Sequence, residues 1–226
     1  MYHFIKRLFD ILAALSVLLL LTPLLLPIVL LLRLTGEGEV FYFQRRIGQN
    51  SRPFSIWKFA TMLKDSPNMG SGTLTVRNDP RVTPMGGFLR KTKINELPQV
   101  INVLLGDMSF VGPRPMDEKA YMAIPDSIRE QVYRTKPGIT GIGSIVFRDE
   151  ERLISATDMP PREFYNQYIA PYKGALEIWY QEHQSFVTDC LLLCLTIWVV
   201  LFPESKAVYR CFSTLPARPT FLELGE

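Results

Sequence analysis

The longest hydrophobic stretch of the chain lies close to its N-terminus. Residues 11–32 form a nearly unbroken apolar run of 22 residues, about 33 Å long as an α-helix and therefore long enough to cross a bilayer. Pro23 and Pro27 interrupt the run because each lacks a backbone N–H, and the Thr22 hydroxyl is placed to compensate a freed carbonyl. Basic residues flank the run on both sides: Lys6, Arg7 and Arg33. The pattern fits a kinked straight span and equally a hairpin whose two ends both remain in the cytoplasm.

Beyond this run, the hydrophobic pattern predicts short strands followed by helices. Residues 40–43 and 54–59 are aromatic and β-branched, and a Gly-Gln-Asn-Ser segment between them predicts the turn of a β-hairpin. Residues 94–105 carry apolar side chains at helical spacing. We expect Asn95 to be the N-cap of that helix, which places Pro98 in the first turn, where proline is tolerated.

The rest of the chain predicts a mainly helical α+β fold with a small β-hairpin. The other expected elements are a surface loop at 65–79, a helix at 117–133, a turn at 136–141 and one or two helices at 161–201. A second apolar stretch, residues 190–202, is too short to span a bilayer and is typical of a buried or interfacial helix. The predicted organisation has three parts: a membrane anchor at 1–35, a domain at 36–202 and a loosely held C-terminal tail at 203–226.

Composition and charge narrow the range of functions. The net charge of +3 is too small to indicate a nucleic-acid-binding protein, although it suits anionic substrates or an anionic membrane surface. Three cysteines without a CxxC pair, together with only two histidines, argue against a disulfide framework and a structural zinc site. Motifs of P-loop NTPases, dinucleotide-binding enzymes, zinc proteases and serine hydrolases are absent from the sequence.

Three features could carry chemistry on residue grounds alone. Glu96 is expected near a helix N-terminus, where anionic groups and phosphates are favoured, although it could simply improve the helix start. Arg114 lies between two prolines, which would preorganise a guanidinium for phosphate, although a surface loop arginine is equally consistent with the sequence. The third feature is a basic set that either lines an anionic site or forms a solvated face: Arg45, Arg46, Lys58, Arg90, Lys91 and Lys93.

A series of motifs follows in a fixed order along the chain: Lys6-Arg7-x-Phe9-Asp10, Phe43-x-x-Arg46-x-Gly48, Lys58-Phe59-x-Thr61-Met62, Asp79-Pro80-Arg81-Val82-Thr83, Asn95-Glu96-Leu97-Pro98-Gln99, Gly106-Asp107-Met108-Ser109-Phe110-Val111-Gly112-Pro113-Arg114-Pro115 and Lys136-Pro137-Gly138-Ile139-Thr140-Gly141. From about residue 3 to residue 202, this series resembles the bacterial sugar transferases, the monotopic phosphoglycosyl transferases.

The resemblance implies a re-entrant, monotopic membrane helix bent at Thr22-Pro23, amphipathic interfacial helices, and an active site on the cytoplasmic face of the bacterial inner membrane. It also implies Mg²⁺-dependent transfer of a sugar-1-phosphate from a nucleotide-activated sugar to polyprenol (undecaprenyl) phosphate, in the biosynthesis of exopolysaccharide or another glycoconjugate. The residues implied to bind substrate phosphates are Arg46, Lys58, Arg81, Pro113, Arg114 and Arg148. A homo-oligomer is compatible with the sequence.

Asn95 departs from the family pattern at its most important position. The family usually has aspartate there, and that Asp–Glu pair is the catalytic dyad, in which the aspartate attacks phosphorus to form a covalent phosphosugar. An amide cannot replace a carboxylate nucleophile, and it is a weaker Mg²⁺ ligand than a carboxylate. Asn95 and Glu96 are the candidate metal ligands, and Asn95 is the weaker of the two. Ser144 also departs, since glutamine is common at that position.

These departures leave three functions open. The first is ordinary phosphoglycosyl transfer, with Glu96 as nucleophile or base. The second is a glycosyltransferase on the same fold, which transfers a sugar to a lipid-linked acceptor with Glu96 as general base and without a covalent intermediate. The third is a non-catalytic binding or assembly subunit.

Overall fold

The structure of the chain, a computed structural model, describes residues 1–35, 37–69 and 79–223. The helices are α1 Tyr2–Leu34, α2 Pro84–Lys91, α3 Gln99–Leu105, α4 Glu118–Met122, α5 Asp126–Val132, α6 Ile142–Val146, α7 Glu150–Ser155, α8 Pro161–Phe164, α9 Ala170–Glu182, α10 Phe186–Leu201 and α11 Ala207–Cys211. The strands are β1 Phe41–Ile47, β2 Pro53–Phe59, β3 Ser109–Val111 and β4 Gly138–Thr140. The predicted α+β class with a β-hairpin is confirmed, since β1 pairs with β2. Of the predicted loop at 65–79, residues 70–78 lie outside the described residues.

The chain forms two compact units, each built from separate segments. The larger unit comprises Met1–Phe9, Arg46–Phe54 and Gly106–Glu226, and the smaller unit comprises Asp10–Arg45 and Ser55–Leu105. The predicted boundaries at residues 35 and 202 stay predictions.

Helix α1 is continuous, with Pro23 and Pro27 inside it. The Thr22 hydroxyl donates to the carbonyl of Leu18 at 2.7 Å rather than to the Leu19 carbonyl that Pro23 leaves without its usual donor. Such bonds from a threonine to the fourth preceding carbonyl bend helices slightly. The threonine therefore acts one residue away from the position that the sequence suggested.

Burial along α1 separates its middle from its flanks. No residue from 15 to 27 is buried, whereas Asp10 and Ala14 on one side and Ile28 and Leu32 on the other are buried. Within the described residues, α1 is also the one helix long and apolar enough to cross a membrane. An exposed apolar middle of this kind is a surface that lipid can cover.

The core of the smaller unit fixes the segment that carries Glu96. Ile28, Leu32, Phe59 and Leu89 form a buried cluster, and Ile94 packs against it. The predicted helix at 94–105 is wrong in its first part, because residues 94–96 form a 3₁₀ turn and α3 begins only at Gln99. The backbone N–H groups of residues 96, 97, 100 and 101 all bond to the third preceding carbonyl, the 3₁₀ pattern.

The larger unit contains a parallel strand pair that the sequence did not predict. Strand β3 pairs with β4 in the register Ser109 with Gly138 and Val111 with Thr140. The segment 136–141 was predicted as a turn only. The strands come so close that a Cβ at Gly112 would overlap the backbone of Lys136, which explains the glycine.

A buried carboxylate joins the start of α1 to α10 within the larger unit. Asp189 is 4 % exposed and lies in the first turn of α10. It accepts hydrogen bonds from the Tyr2 hydroxyl at 2.9 Å, from the Lys6 ammonium at 2.6 Å and from the Tyr180 hydroxyl at 2.7 Å. The Lys6 charge, which the sequence suggested as a membrane-flanking cation, is thus paired inside the protein.

Two further expectations need correction. The helix predicted over 117–133 is divided into α4 and α5, and Pro125 is the residue before α5. The C-terminal tail is packed rather than loosely held, since Val208, Phe212 and Leu222 are buried in the main core of the larger unit. The Phe221 ring stacks on Phe147 with centroids 6.4 Å apart, so the tail is part of the folded unit.

Candidate active site

Asn95 and Glu96 lie side by side in the 3₁₀ turn, and they differ in exposure. Asn95 is 9 % exposed, and its Oδ1 is buried without a hydrogen-bond partner among the described residues. Lys93, just before the turn, has φ 60°, a left-handed conformation that separates the turn from α2. Asn95 is therefore not the N-cap predicted from the sequence but a buried amide with an unsatisfied oxygen, which is uncommon in folded proteins.

Lys58 brings a positive charge to Glu96. It lies on β2 next to the buried Phe59, and because neighbouring side chains on a strand point to opposite faces, it points away from the core that Phe59 enters. Its Nζ lies 3.9 Å from Oε1 of Glu96, and the two side chains are 19 % and 32 % exposed. The structure thus brings together three predicted site residues, Asn95, Glu96 and Lys58, in the smaller unit.

Arg81 is also in the smaller unit, but its guanidinium has internal partners. Its Nε and one terminal nitrogen donate to the two oxygens of Asp79 at 2.8 and 2.6 Å. Its other terminal nitrogen donates to the carbonyls of Ser66 and Met69, both at 2.7 Å. With 3 % exposure, Arg81 organises this segment, and its predicted part in substrate binding stays a prediction.

In the larger unit, Arg114 has the rigid setting that its two prolines predict. Pro113 and Pro115 are buried and Arg114 itself is exposed. The Pro113 carbonyl accepts from the Gly138 N–H at 2.8 Å, and the Arg114 carbonyl accepts from the hydroxyl of Tyr133 at 3.3 Å. These hydrogen bonds fix the backbone on both sides of Arg114. The exposed guanidinium is therefore attached to a rigid backbone, as a preorganised anion-binding side chain requires.

Arg46 lies in the same unit and is paired with a helix cap. Its guanidinium is 3.3 Å from Oδ2 of Asp117, while Oδ1 of Asp117 accepts from the Ala120 N–H at 2.9 Å and caps α4. The Arg46 side chain is 18 % exposed. It keeps access to solvent, which a phosphate contact needs.

A buried charged network on α9 was missed by sequence reasoning. The ammonium of Lys173 contacts the Glu150 carboxylate and lies 5.1 Å from the Phe147 ring centroid and 5.3 Å from that of Tyr165. Burial lowers the pKa of Lys173, an effect that Glu150 opposes and that the nearby Arg114 reinforces. The signal that could have found the network is the spacing of Lys173 and Glu177, one helical turn apart on the side of α9 that is otherwise buried.

Glu177 is the most deeply buried carboxylate of this network. It is 2 % exposed, and burial raises its pKa to about 7, while Lys173 and the Gly143 N–H lower it. Its Oε2 and the Ser144 hydroxyl are buried without hydrogen-bond partners among the described residues. The carboxyl approaches the backbone so closely that a Cβ at Gly143 would overlap its Oε1. Glu177 therefore fixes the segment that follows β4.

Arg148 is exposed and lines a cavity of the larger unit together with Arg152 and Arg218. The hydrogen bonds and ion pairs of the described residues do not include its side chain. Its predicted role in phosphate binding stays a prediction.

Comparison with known proteins places the chain in a family. The family model described as bacterial sugar transferase matches residues 1–203, which include every candidate site residue named above. The chain belongs to the bacterial sugar transferases. Membership makes it an enzyme of the transferase class, and the resemblance noted in the motifs is confirmed.

Several relatives share a large part of the chain. The exopolysaccharide production protein PSS of Rhizobium leguminosarum bv. phaseoli is 36 % identical over 198 residues, which cover 85 % of this chain and 93 % of that protein. The exopolysaccharide production protein ExoY of Rhizobium meliloti (strain 1021) is 40 % identical over 159 residues, 64 % of this chain and 70 % of the relative. The UDP-glucose:undecaprenyl-phosphate glucose-1-phosphate transferase of Escherichia coli (strain K12) is 42 % identical over 144 residues, 62 % of this chain and 31 % of the relative.

The oxygen donors of Asn95 and Glu96 in the 3₁₀ turn could hold a magnesium ion if substrate phosphates supplied further ligands. The described residues contain no group of three His, Cys, Asp or Glu side chains able to hold a metal. Magnesium commonly binds through one or two carboxylates and completes its shell with water and substrate phosphates. The Glu96 carboxylate and the unpartnered Oδ1 of Asn95 provide two oxygen donors of the required kind.

Proposed function

We propose that this chain transfers a sugar-1-phosphate from a nucleotide-activated sugar to polyprenol phosphate, with release of a nucleoside monophosphate, in exopolysaccharide or related glycoconjugate biosynthesis. The observation that carries the proposal is the Glu96–Lys58 pair at 3.9 Å within a chain that matches the family over residues 1–203. Relatives are named for exopolysaccharide production and for undecaprenyl-phosphate glucose-1-phosphate transfer, which supports this substrate class.

Glu96 is the group that we assign to the reacting phosphorus. It is the carboxylate that remains where the family has two, and its side chain is 32 % exposed and so can reach substrate. As nucleophile, it would form a bond to the phosphorus that carries the sugar while the bond to the nucleoside monophosphate breaks; the polyprenol phosphate oxygen then displaces it. Lys58 supplies a cation beside it that suits a phosphate oxygen. Mg²⁺, held by Glu96 and the Asn95 oxygen, would neutralise phosphate charge when bound.

A second function is favoured by one specific observation. Asn95 replaces the carboxylate that forms the covalent phosphosugar in the family, and its buried oxygen has no partner among the described residues. A glycosyltransferase would need no such nucleophile, because Glu96 as general base could activate a lipid-linked acceptor. That reaction releases a nucleoside diphosphate.

The released nucleotide distinguishes the two functions. Membranes containing the full chain are supplied with a radiolabelled nucleotide sugar, with polyprenol phosphate or a lipid-linked sugar as acceptor. Monophosphate release that depends on polyprenol phosphate supports the proposal, and diphosphate release with the lipid-linked sugar establishes the second function instead. Turnover of no nucleotide sugar would contradict both and favour a binding subunit.

Variants then test the residue assignment. Glu96→Gln should abolish activity, a loss of more than about 10⁴-fold, because an amide can act neither as nucleophile nor as base. Asn95→Ala should weaken it less, and Glu130→Gln, an exposed glutamate of α5, is the matched control that should remain fully active. An inactive Asn95→Ala enzyme beside an active Glu96→Gln enzyme would overturn the assignment.

We also propose that α1 enters and leaves the membrane on the cytoplasmic face. The 13 residues from 15 to 27 that lack burial would extend about 20 Å, which is shorter than the roughly 30 Å hydrocarbon core. Both flanks of this segment are buried in folded polypeptide, at Asp10 and Ala14 and at Ile28 and Leu32. A straight span would require one of these flanks to lie in lipid or on the far side. In the larger unit, α10 has exposed apolar residues suited to contact with lipid, among them Val187, Ile197 and Leu201.

A further inference from the structure

The C-terminal segment after residue 203 lies outside the family match and adds a cavity to the larger unit. The cavity has a volume of about 110 Å³, which is room for several water molecules. One wall comes from the matched region, through residues of α6, α7 and α10, and the other comes from residues 204–222. The segment is fixed in place, since Val208 and Leu222 are buried and also line the cavity.

The lining of this cavity is basic. It contains four cationic side chains, Arg148, Arg152, Lys206 and Arg218, against the two carboxylates of Asp149 and Glu204, a net charge of 4 − 2 = +2.

Arg152 and Arg218 in the lining have acidic partners near the surface. Arg152 is paired with Glu204 at 3.1 Å, and Arg218 with Glu223, a residue outside the lining, at 3.6 Å. The partners Glu204 and Glu223 have side chains that are 72 % and 62 % exposed, so both pairs are surface pairs of small energy. An anion that enters the cavity can replace these carboxylates without leaving a buried charge unpaired.

The cavity opens beside exposed hydrophobic residues. Val199 and Pro203 both line it, and the three residues between them, Val200, Leu201 and Phe202, are 59 %, 66 % and 50 % exposed. Ser205, another lining residue, accepts a hydrogen bond from the Trp198 indole at 2.8 Å. Indole rings favour the level of the lipid headgroups, where one end is apolar and the other is wet.

We propose that this cavity binds the phosphate headgroup of an anionic membrane phospholipid, whose acyl chains lie along Val200, Leu201 and Phe202. The cations supply charge-assisted hydrogen bonds to the phosphate oxygens. A free phosphate ion would satisfy the same cations but would leave the adjoining apolar residues without a partner. Arg148, which the family resemblance implies for substrate phosphate, also lines this cavity. Lipid occupancy is therefore measured by direct binding, without turnover.

The test is direct lipid binding to the full chain in a neutral detergent. Native mass spectrometry measures the apparent affinity for short-chain phosphatidylglycerol, for phosphatidylcholine with the same acyl chains and for inorganic phosphate. We expect one phosphatidylglycerol per chain, bound at least about tenfold more tightly than phosphatidylcholine. Phosphatidylcholine binding as tight as phosphatidylglycerol, or phosphate binding as tight as the lipid, overturns the headgroup assignment.

Two variants locate the binding. Lys206→Gln should lower the affinity for phosphatidylglycerol about fivefold, the effect of one cation near a lipid surface. Arg210→Gln is the matched control, because Arg210 is an exposed cation of α11 that does not line the cavity. It should leave the affinity unchanged within about twofold. An equal loss in both variants would show general charge attraction and overturn the site, as would unchanged binding in Lys206→Gln with normal thermal unfolding.

Discussion

Replacing Glu177 by glutamine should change how the stability of the protein depends on pH. Glu177 lies in α9, is 2 % exposed, and leaves its Oε2 without a partner among the described residues. Burial raises its pKa to about 7, against an ordinary value of 4.5, and the partial compensation by Lys173 and the Gly143 N–H is already included. The carboxyl group therefore holds a proton in the folded protein over a pH range in which the unfolded chain has lost it.

The magnitude follows from this difference in pKa. The interval between 4.5 and about 7 is about 2.5, which corresponds to about 3 kcal/mol at 1.36 kcal/mol for each pH unit. The folded state binds more protons than the unfolded state between these values, so the free energy of unfolding falls as pH rises. The favourable contribution is fully present below pH 4.5 and is lost as pH rises through 7. Glutamine has no such ionisation.

Thermal unfolding of the full chain in detergent, measured from pH 4.5 to pH 8, tests this reasoning. Relative to the original protein, the Glu177→Gln variant should gain about 3 kcal/mol across this range, or about 6–12 °C in Tm for a chain of this size. Tyr133 does not titrate here, since burial raises its pKa well above 10. Glu182→Gln, an exposed glutamate on the same helix, is the control. A Tm difference between Glu177→Gln and the original protein that stays constant with pH would refute the buried ionisation.

Two further predictions concern the smaller unit and the membrane helix. Gly86→Ala should destabilise the protein by roughly 1–3 kcal/mol, because the added Cβ would overlap the Thr61 carbonyl. In the control, Gly87→Ala on the same helix, the added Cβ meets nothing within 4 Å, so this variant should be neutral or more stable by up to about 1 kcal/mol. Equal Tm values for the two variants would contradict the close packing of α2 on the segment that follows β2. In a background without the three native cysteines, single cysteines at His3 and Glu37 should react with a membrane-impermeant reagent from the same, cytoplasmic side, and labelling from opposite sides would exclude a re-entrant α1.

The sequence predicted those parts of the candidate site whose setting depends on neighbouring residues in the chain. Arg114 is flanked by two prolines in the sequence, and the structure confirms a buried, bonded backbone around an exposed guanidinium. Glu96 and Lys58 were both identified, but their 3.9 Å separation depends on how β2 and the 3₁₀ turn pack on the cluster that contains Phe59. Asn95 shows the limit, since its sequence position suggested an N-cap and the structure gives it a buried oxygen without a partner.

By itself, the sequence determined the long apolar helix, the β-hairpin, the broad α+β class and the family, because periodicity, turn residues and ordered motifs are local properties of the chain. Tertiary structure alone decided the parallel pairing of β3 with β4, the packing of the C-terminal tail, and the burial of Glu177 and Asp189. Each of these depends on contacts between residues far apart in the chain. The sequence does not distinguish a charged side chain that is exposed to solvent from one that is buried. Its pKa and its partners depend on the residues that pack around it in the folded protein.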